Sequence, residues 1–197
     1  MKEDKPRFGF ITRNYLVLTL TSTLWSIPTS ICNTYFSLYV LGLNGTEIII
    51  GLVTALGSAS FVIVAIIGGT MADLYGRKKL VGTMTFALGL SQFLIAFAPT
   101  WEILSIAVIV SNFFWIFEPA FWAILADSIS EQKRGTAYAL FSCLNFLPWA
   151  IMPSIGGYLI DIRGILAVMK WAYIGLAVSG LTAGILRLTL LQETMSH

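Results

Sequence analysis

Six apolar runs, each long enough to cross a bilayer, constrain this chain more than any other feature. A hydrocarbon core about 30 Å thick needs roughly 20 helical residues. The runs cover residues 15–42, 48–72, 80–98, 103–126, 137–159 and 165–188. Polar residues collect in the breaks, at 43–47, 73–79, 99–102, 127–135 and 160–164. Charged residues make up 11% of the chain, where about 25% is usual for a soluble domain. So few charges cannot cover a water-facing surface, and the mean hydropathy is +0.83. A closed barrel would alternate polar and apolar residues over about ten positions. The unbroken runs at 61–67 and 106–110 do not alternate. The expected fold is an all-α membrane protein with six transmembrane helices. Residues 1–14 form a basic tail, 15–190 the bundle and 191–197 a short polar end.

Lys and Arg set the orientation. Lys2, Lys5, Arg7 and Arg13 precede the first span. Arg77, Lys78 and Lys79 follow the second, and Lys133 and Arg134 follow the fourth. Arg187, near the end of the sixth span, is assigned to the same side. Of the twelve basic residues, Arg163 and Lys170 alone belong to the other side. The positive-inside rule then puts both termini in the cytoplasm, at the cell membrane. The first span is too long for a cleaved signal peptide and lacks a clear small-x-small cleavage site. Asn44-Gly45-Thr46 reads equally as an outer-side glycosylation sequon and as a turn.

Several chemistries are excluded. A net charge of +2 is too mild for a nucleic-acid partner. The lone histidine is His197, and Cys32 and Cys143 both sit in apolar runs. No metal centre, cofactor site or His-based catalytic centre is expected. No nucleotide-binding loop is present. The expectation is therefore not an enzyme.

The polar residues inside the spans are the informative ones. An ionisable group in mid-membrane is expensive, and it marks function by default. Glu118 is the carboxylate that qualifies. Ser111, Trp115 and Trp122 lie at helical spacing from it and complete a stripe suited to a cavity wall. Thr19, Thr23, Ser26, Ser30, Asn33 and Ser37 form a second stripe. Tyr138, Ser142, Asn145 and Trp149 form a third. The competing reading is that such groups only bond helix to helix. Pro28 and Pro119 interrupt the first and fourth spans, the opening helices of two three-helix units. Matched interruptions point to a solute site between membrane helices.

The break after the second span reads Gly69-Thr70-Met71-Ala72-Asp73-Leu74-Tyr75-Gly76-Arg77-Lys78-Lys79. Gly69 stands one turn before Asp73 and would admit a neighbouring helix. Gly76 permits a tight reversal. Arg77 offers a fork to a carboxylate. This pattern resembles motif A of the major facilitator superfamily, G-x-x-x-D-x-x-G-R-K. Pro119-Ala120, Ala126-Asp127, Glu131, Arg134 and Gly135 resemble the family's stretch from the fourth helix into the next loop. Pro153-Ser154-Ile155-Gly156-Gly157 resembles the end of its fifth helix, without the longer glycine series of the antiporter branch. Leu191-Gln192-Glu193-Thr194 resembles the end of its sixth.

The resemblance implies the N-terminal half of the family fold, a 3+3 inverted repeat of six helices. It implies a cytoplasmic charge network that latches one conformation, from Asp73, Arg77 and Asp127, with Gly69, Gly76 and Arg134 as motif positions. It implies a solute and ion pathway lined by Asn33, Ser111, Trp115, Glu118, Trp122, Asn145 and Trp149. Partners would be the lipid bilayer, a small-molecule substrate, protons, and a second six-helix half. That half would be a separate chain or a second copy. The expected function is one half of a secondary active transporter working by alternating access. The other readings are a non-transporting membrane scaffold, an inactive truncated half and, least favoured, a membrane enzyme.

Overall fold

A computed structural model describes residues 11–194. Lys2, Lys5 and Arg7 of the basic tail, and His197, lie outside the described residues. The helices are α1 (Arg13–Thr34), α2 (Phe36–Gly42), α3 (Glu47–Tyr75), α4 (Arg77–Ala96), α5 (Trp101–Phe113), α6 (Glu118–Asp127), α7 (Arg134–Arg163) and α8 (Ile165–Leu190). A single 3₁₀ turn, Phe114–Phe117, joins α5 to α6. Six helical segments are long and apolar enough to span a membrane, with α5 and α6 together making the fourth. This is the all-α, six-span fold expected above.

Local chemistry sets the ends. Thr12 caps α1 by accepting the Tyr15 N–H at 3.2 Å. Thr46 caps α3 through the Ile49 N–H at 3.4 Å. Asn44 takes a left-handed turn conformation, φ 64°, so turn chemistry explains Asn44-Gly45 directly. Gly76, at φ 83°, makes the reversal between α3 and α4. A side chain there would strain the backbone.

Proline behaves differently at its two sites. Pro119 follows the 3₁₀ turn at the first turn of α6, where its missing N–H is harmless. Pro28, by contrast, lies inside an unbroken α1. The break in the first span falls at Tyr35 instead. The expected match between Pro28 and Pro119 as interruptions is thus corrected. Ser26, Thr29 and Ser30 hydroxyls bond nearby carbonyls of α1 at 2.7–2.8 Å, supplying polar contacts beside the proline.

The central pair is α4 and α8. Four glycines lie at their contact, Gly82, Gly89, Gly180 and Gly184, and the spacing in α8, Gly180-Leu181-Thr182-Ala183-Gly184, is a small-residue contact motif. A Cβ on Gly184 would stand 2.7 Å from the Phe86 backbone, and one on Gly180 2.7 Å from Gly89 Cα. The helices therefore touch backbone to backbone. Next, α1 packs on α8, α7 on α1, and α3 on α5 and α6.

Two apolar cores result, one at each end of the bundle. Tyr15, Leu18, Leu80, Leu88, Ile124, Ala137 and Leu191 fill the basic end. Tyr39, Val40, Ile95, Leu104, Met169 and Tyr173 fill the other. Outward, Leu20, Leu52, Ile66, Leu74 and Trp171 are exposed, an apolar exterior that matches lipid.

Gly68 rather than Gly69 makes the close helix contact predicted for this region. A Cβ on Gly68 would collide with the Ile116 carbonyl, whereas Gly69 faces open space. A step of one residue turns the helix by about 100°, which accounts for the miss. Gly184→Ala is therefore expected to lower stability by about 1–3 kcal/mol, and Gly69→Ala to leave it unchanged. Thermal unfolding of the detergent-solubilised protein checks both. Equal midpoints for the two variants would contradict the α4–α8 contact.

Candidate functional site

Between the two apolar cores lie two cavities, of about 440 and 500 Å³. They share walls at Trp25, Thr29, Asn33 and Trp115. Trp25 and Trp115 meet edge to face at that junction, 6.4 Å apart. The first cavity is further lined by Ser111, Asn112, Gln92 and Tyr173. The second holds Glu118, Trp122, Asn145 and Trp149, with Phe121 and Phe141.

All seven residues expected to line a pathway therefore border one of these cavities. The expected stripe from Ser111 to Trp122 does not run continuously. The 3₁₀ turn at 114–117 offsets its two ends. Ser111 is buried and donates to Ser91 at 2.9 Å. Glu118 is half-buried and accepts from Trp122 Nε1 at 3.4 Å. That single long bond leaves most of the carboxylate's acceptor capacity open to the cavity.

The hydroxyl stripe of α1 turns back on its own helix. Thr23 donates to the Thr19 carbonyl at 2.9 Å, Ser26 to Thr23 at 2.8 Å and Ser30 to Ile27 at 2.8 Å. Asn145 does the same to Phe141 at 2.8 Å. None of these four side chains acts as a bond between helices. Cross-helix bonds come from other residues. Tyr15 donates to the Ala137 carbonyl at 2.9 Å and Tyr35 to the Pro153 carbonyl at 2.7 Å.

At the basic end, Arg77 Nη1 meets Asp127 Oδ2 at 2.6 Å. The pair ties the start of α4 to the end of α6. Arg77 is 24% exposed and Asp127 44%, so water screens the contact and its strength is modest. Asp73 and Arg134 are exposed and make no ion pair with a described residue. The expected network thus reduces, in this conformation, to Arg77–Asp127. Glu193 was missed as a participant. Its Oε2 accepts the Lys78 N–H at 3.1 Å. This caps α4, whose own N-cap is a glycine without a side chain, and places a carboxylate at the positive end of that helix. Asn14 Nδ2 donates to the Gln192 carbonyl at 3.0 Å, and the Gln192 N–H donates back to Asn14 Oδ1 at 2.8 Å.

Arg187 needs a correction. Expected among the surface charges of the basic end, it is instead 4% exposed. Nε donates to Thr21 at 3.0 Å, Nη1 to Thr85 at 2.8 Å and Nη2 to Ser22 at 3.1 Å. Side chains of a helix lean toward its N-terminus. From the end of α8 that direction leads back into the bundle, where three hydroxyls wait.

A sequence profile described as Major Facilitator Superfamily matches residues 15–196. This chain belongs to the major facilitator superfamily. Among curated relatives, it is 25% identical over 158 residues to an uncharacterized MFS-type transporter of Methanocaldococcus jannaschii, covering 80% of this chain and 41% of that protein. It is 30% identical over 132 residues to a multi-drug resistance efflux pump PmrA homolog of Lactococcus lactis, covering 64% and 32%. It is 23% identical over 123 residues to the quinolone resistance protein NorA of Staphylococcus aureus, covering 62% and 31%. The matched segments thus cover 31–41% of the length of these superfamily relatives.

The exposure of the Arg77–Asp127 pair fixes its expected strength. A double-mutant cycle on Arg77→Ala and Asp127→Ala should give a coupling of about 1 kcal/mol or less, and raised salt should shrink it. Unfolding of the four proteins at low and high salt measures this. A large, salt-independent coupling would contradict the screened geometry.

Proposed function

We propose that this chain is the N-terminal six-helix half of a secondary active transporter for small solutes. It works by alternating access together with a second six-helix half, in a cell membrane with both termini cytoplasmic. The observation that carries the reading is Glu118. A carboxylate stands at a helix break, on the wall of a cavity that is otherwise largely aromatic and apolar. An intramembrane carboxylate is costly unless it has work to do.

Glu118 is assigned as the proton carrier and solute contact. Trp115, Trp122 and Trp149 offer flat apolar faces for a ring-bearing solute. Asn33, Ser111 and Asn145 offer polar contacts along the same walls. Two relatives carry names that refer to drug efflux or drug resistance, which supports a hydrophobic, ring-bearing cargo.

Arg77 and Asp127 are assigned as a latch at the cytoplasmic end, with Asp73, Gly69, Gly76 and Arg134 as supporting motif positions. A latch must hold one state and still break during each cycle. A half-exposed ion pair meets both needs. Glue between helices, the chief alternative use for the polar stripes, is disfavoured on α1, where Thr23, Ser26 and Ser30 bond their own helix, while Ser111 does bond across to Ser91.

Proteoliposomes carrying this chain and its matching second half test the reading. Glu118→Gln should abolish the pH dependence of solute flux while leaving insertion intact. Asp73→Asn and Arg77→Ala should each lower flux without loss of membrane insertion. Full pH-dependent flux in Glu118→Gln would remove the proton-carrier role, and normal rates in both motif variants would remove the latch.

A further inference from the structure

Arg187 is a buried cation that the transport reading above does not use. A guanidinium carries five N–H donors. Three of them go to Thr21, Thr85 and Ser22. These are neutral hydroxyls, so they solvate the charge and leave it unbalanced. Two donors remain, one on each terminal nitrogen. The guanidinium also sits over the rings of Phe121, at 5.0 Å, and Phe117, at 5.8 Å. Among the described residues no carboxylate pairs with it. A buried charge without a counter-charge is strongly unfavourable, yet α1 supplies two hydroxyls and α4 a third to hold this one in place.

The position matters as much as the charge. Arg187 lines the 500 Å³ cavity that also contains Glu118. Thr21 and Thr85 each stand eight residues inside the start of their helices, about 12 Å along the axis. The guanidinium is thus held at depth by three hydrogen bonds on the wall of a chamber with aromatic sides.

We propose that Arg187 is an anion-recognition subsite, and that the cavity takes a ring-bearing organic acid whose carboxylate docks on the two unused N–H groups. A fork of two donors matches a carboxylate in geometry and charge. Thr21, Ser22 and Thr85 hold the fork, and Phe121 and Phe117 close its face. The aromatic walls receive the ring system. The proposal deepens the transport reading, since it names the class of solute, but its chemistry is an equilibrium property and is tested without flux.

The probes are 1-naphthoate and its neutral isostere 1-naphthamide, measured by equilibrium dialysis against the chain in nanodiscs, with empty discs subtracted. The acid should bind at least about tenfold more tightly than the amide, as a charge-assisted pair requires. Arg187→Gln should abolish that preference. Arg187→Lys, which keeps the charge and loses the fork, should retain part of it. Equal binding of acid and amide to the unaltered chain, or no binding of either, overturns the assignment even if Arg187→Gln fails to fold. So does a preference that survives in folded Arg187→Gln. Flux that persists without the preference would sink the anion subsite alone. A preference without flux would sink the transport reading alone.

Discussion

Hydrocarbon offers no hydrogen bonds, and that constraint governs every polar group within this bundle. Backbone groups answer it by forming helices. Side chains answer it in two ways. Thr23, Ser26, Ser30 and Asn145 bond carbonyls of their own helices. Arg187 cannot, and instead gathers hydroxyls from α1 and α4. The first solution keeps each helix self-sufficient and leaves the neighbouring space free. The second joins α8 to α1 and α4 around one charge. Cavity and cross-link thus come from the same requirement.

Rigidity and looseness are placed accordingly. Glycine contacts lock α4 to α8 with backbone against backbone, and apolar cores close both ends of the bundle. The basic end adds Glu193 over the start of α4 and Asn14 against Gln192. The weaker contact at that end is Arg77–Asp127, half in water. In the proposed alternating access, the bundle would move as a unit, and a stiff interior with a breakable rim would serve that motion. The chemistry of the rim suits a switch, whereas the chemistry of the interior suits a fixed wall.

The six spans were legible because length and apolarity are properties of single segments. Their observed limits fall within a few residues of those read from the sequence, the largest difference being at the end of α7, which runs on to Arg163. The cavity-lining positions were legible through helical spacing. Other features depend on phase or on partners. Gly68 and Gly69 are equivalent in composition and differ only in which side of α3 they occupy. Gly180 and Gly184 carry the four-residue small-residue spacing of a helix contact, but only the fold shows that the partner is α4. Pro28 had the residue type of a break, but α1 continues through it. Arg187 looked like an interfacial anchor by position alone; only the lean of its side chain and the hydroxyls of Thr21, Ser22 and Thr85 reveal it as interior. Glu193 could not be assigned to α4 from a distance of 115 residues in sequence.

The account stands on the claim that these polar residues face the two adjoining cavities, open to water, inside a lipid-exposed bundle. Cysteine accessibility in native membranes tests it most directly, on a Cys32→Ser, Cys143→Ser background, with a water-soluble thiol reagent. Asn33→Cys, Glu118→Cys and Asn145→Cys should react, whereas Leu20→Cys, Ile66→Cys and Trp171→Cys should not. Reaction at the second set with protection of the first would contradict the arrangement.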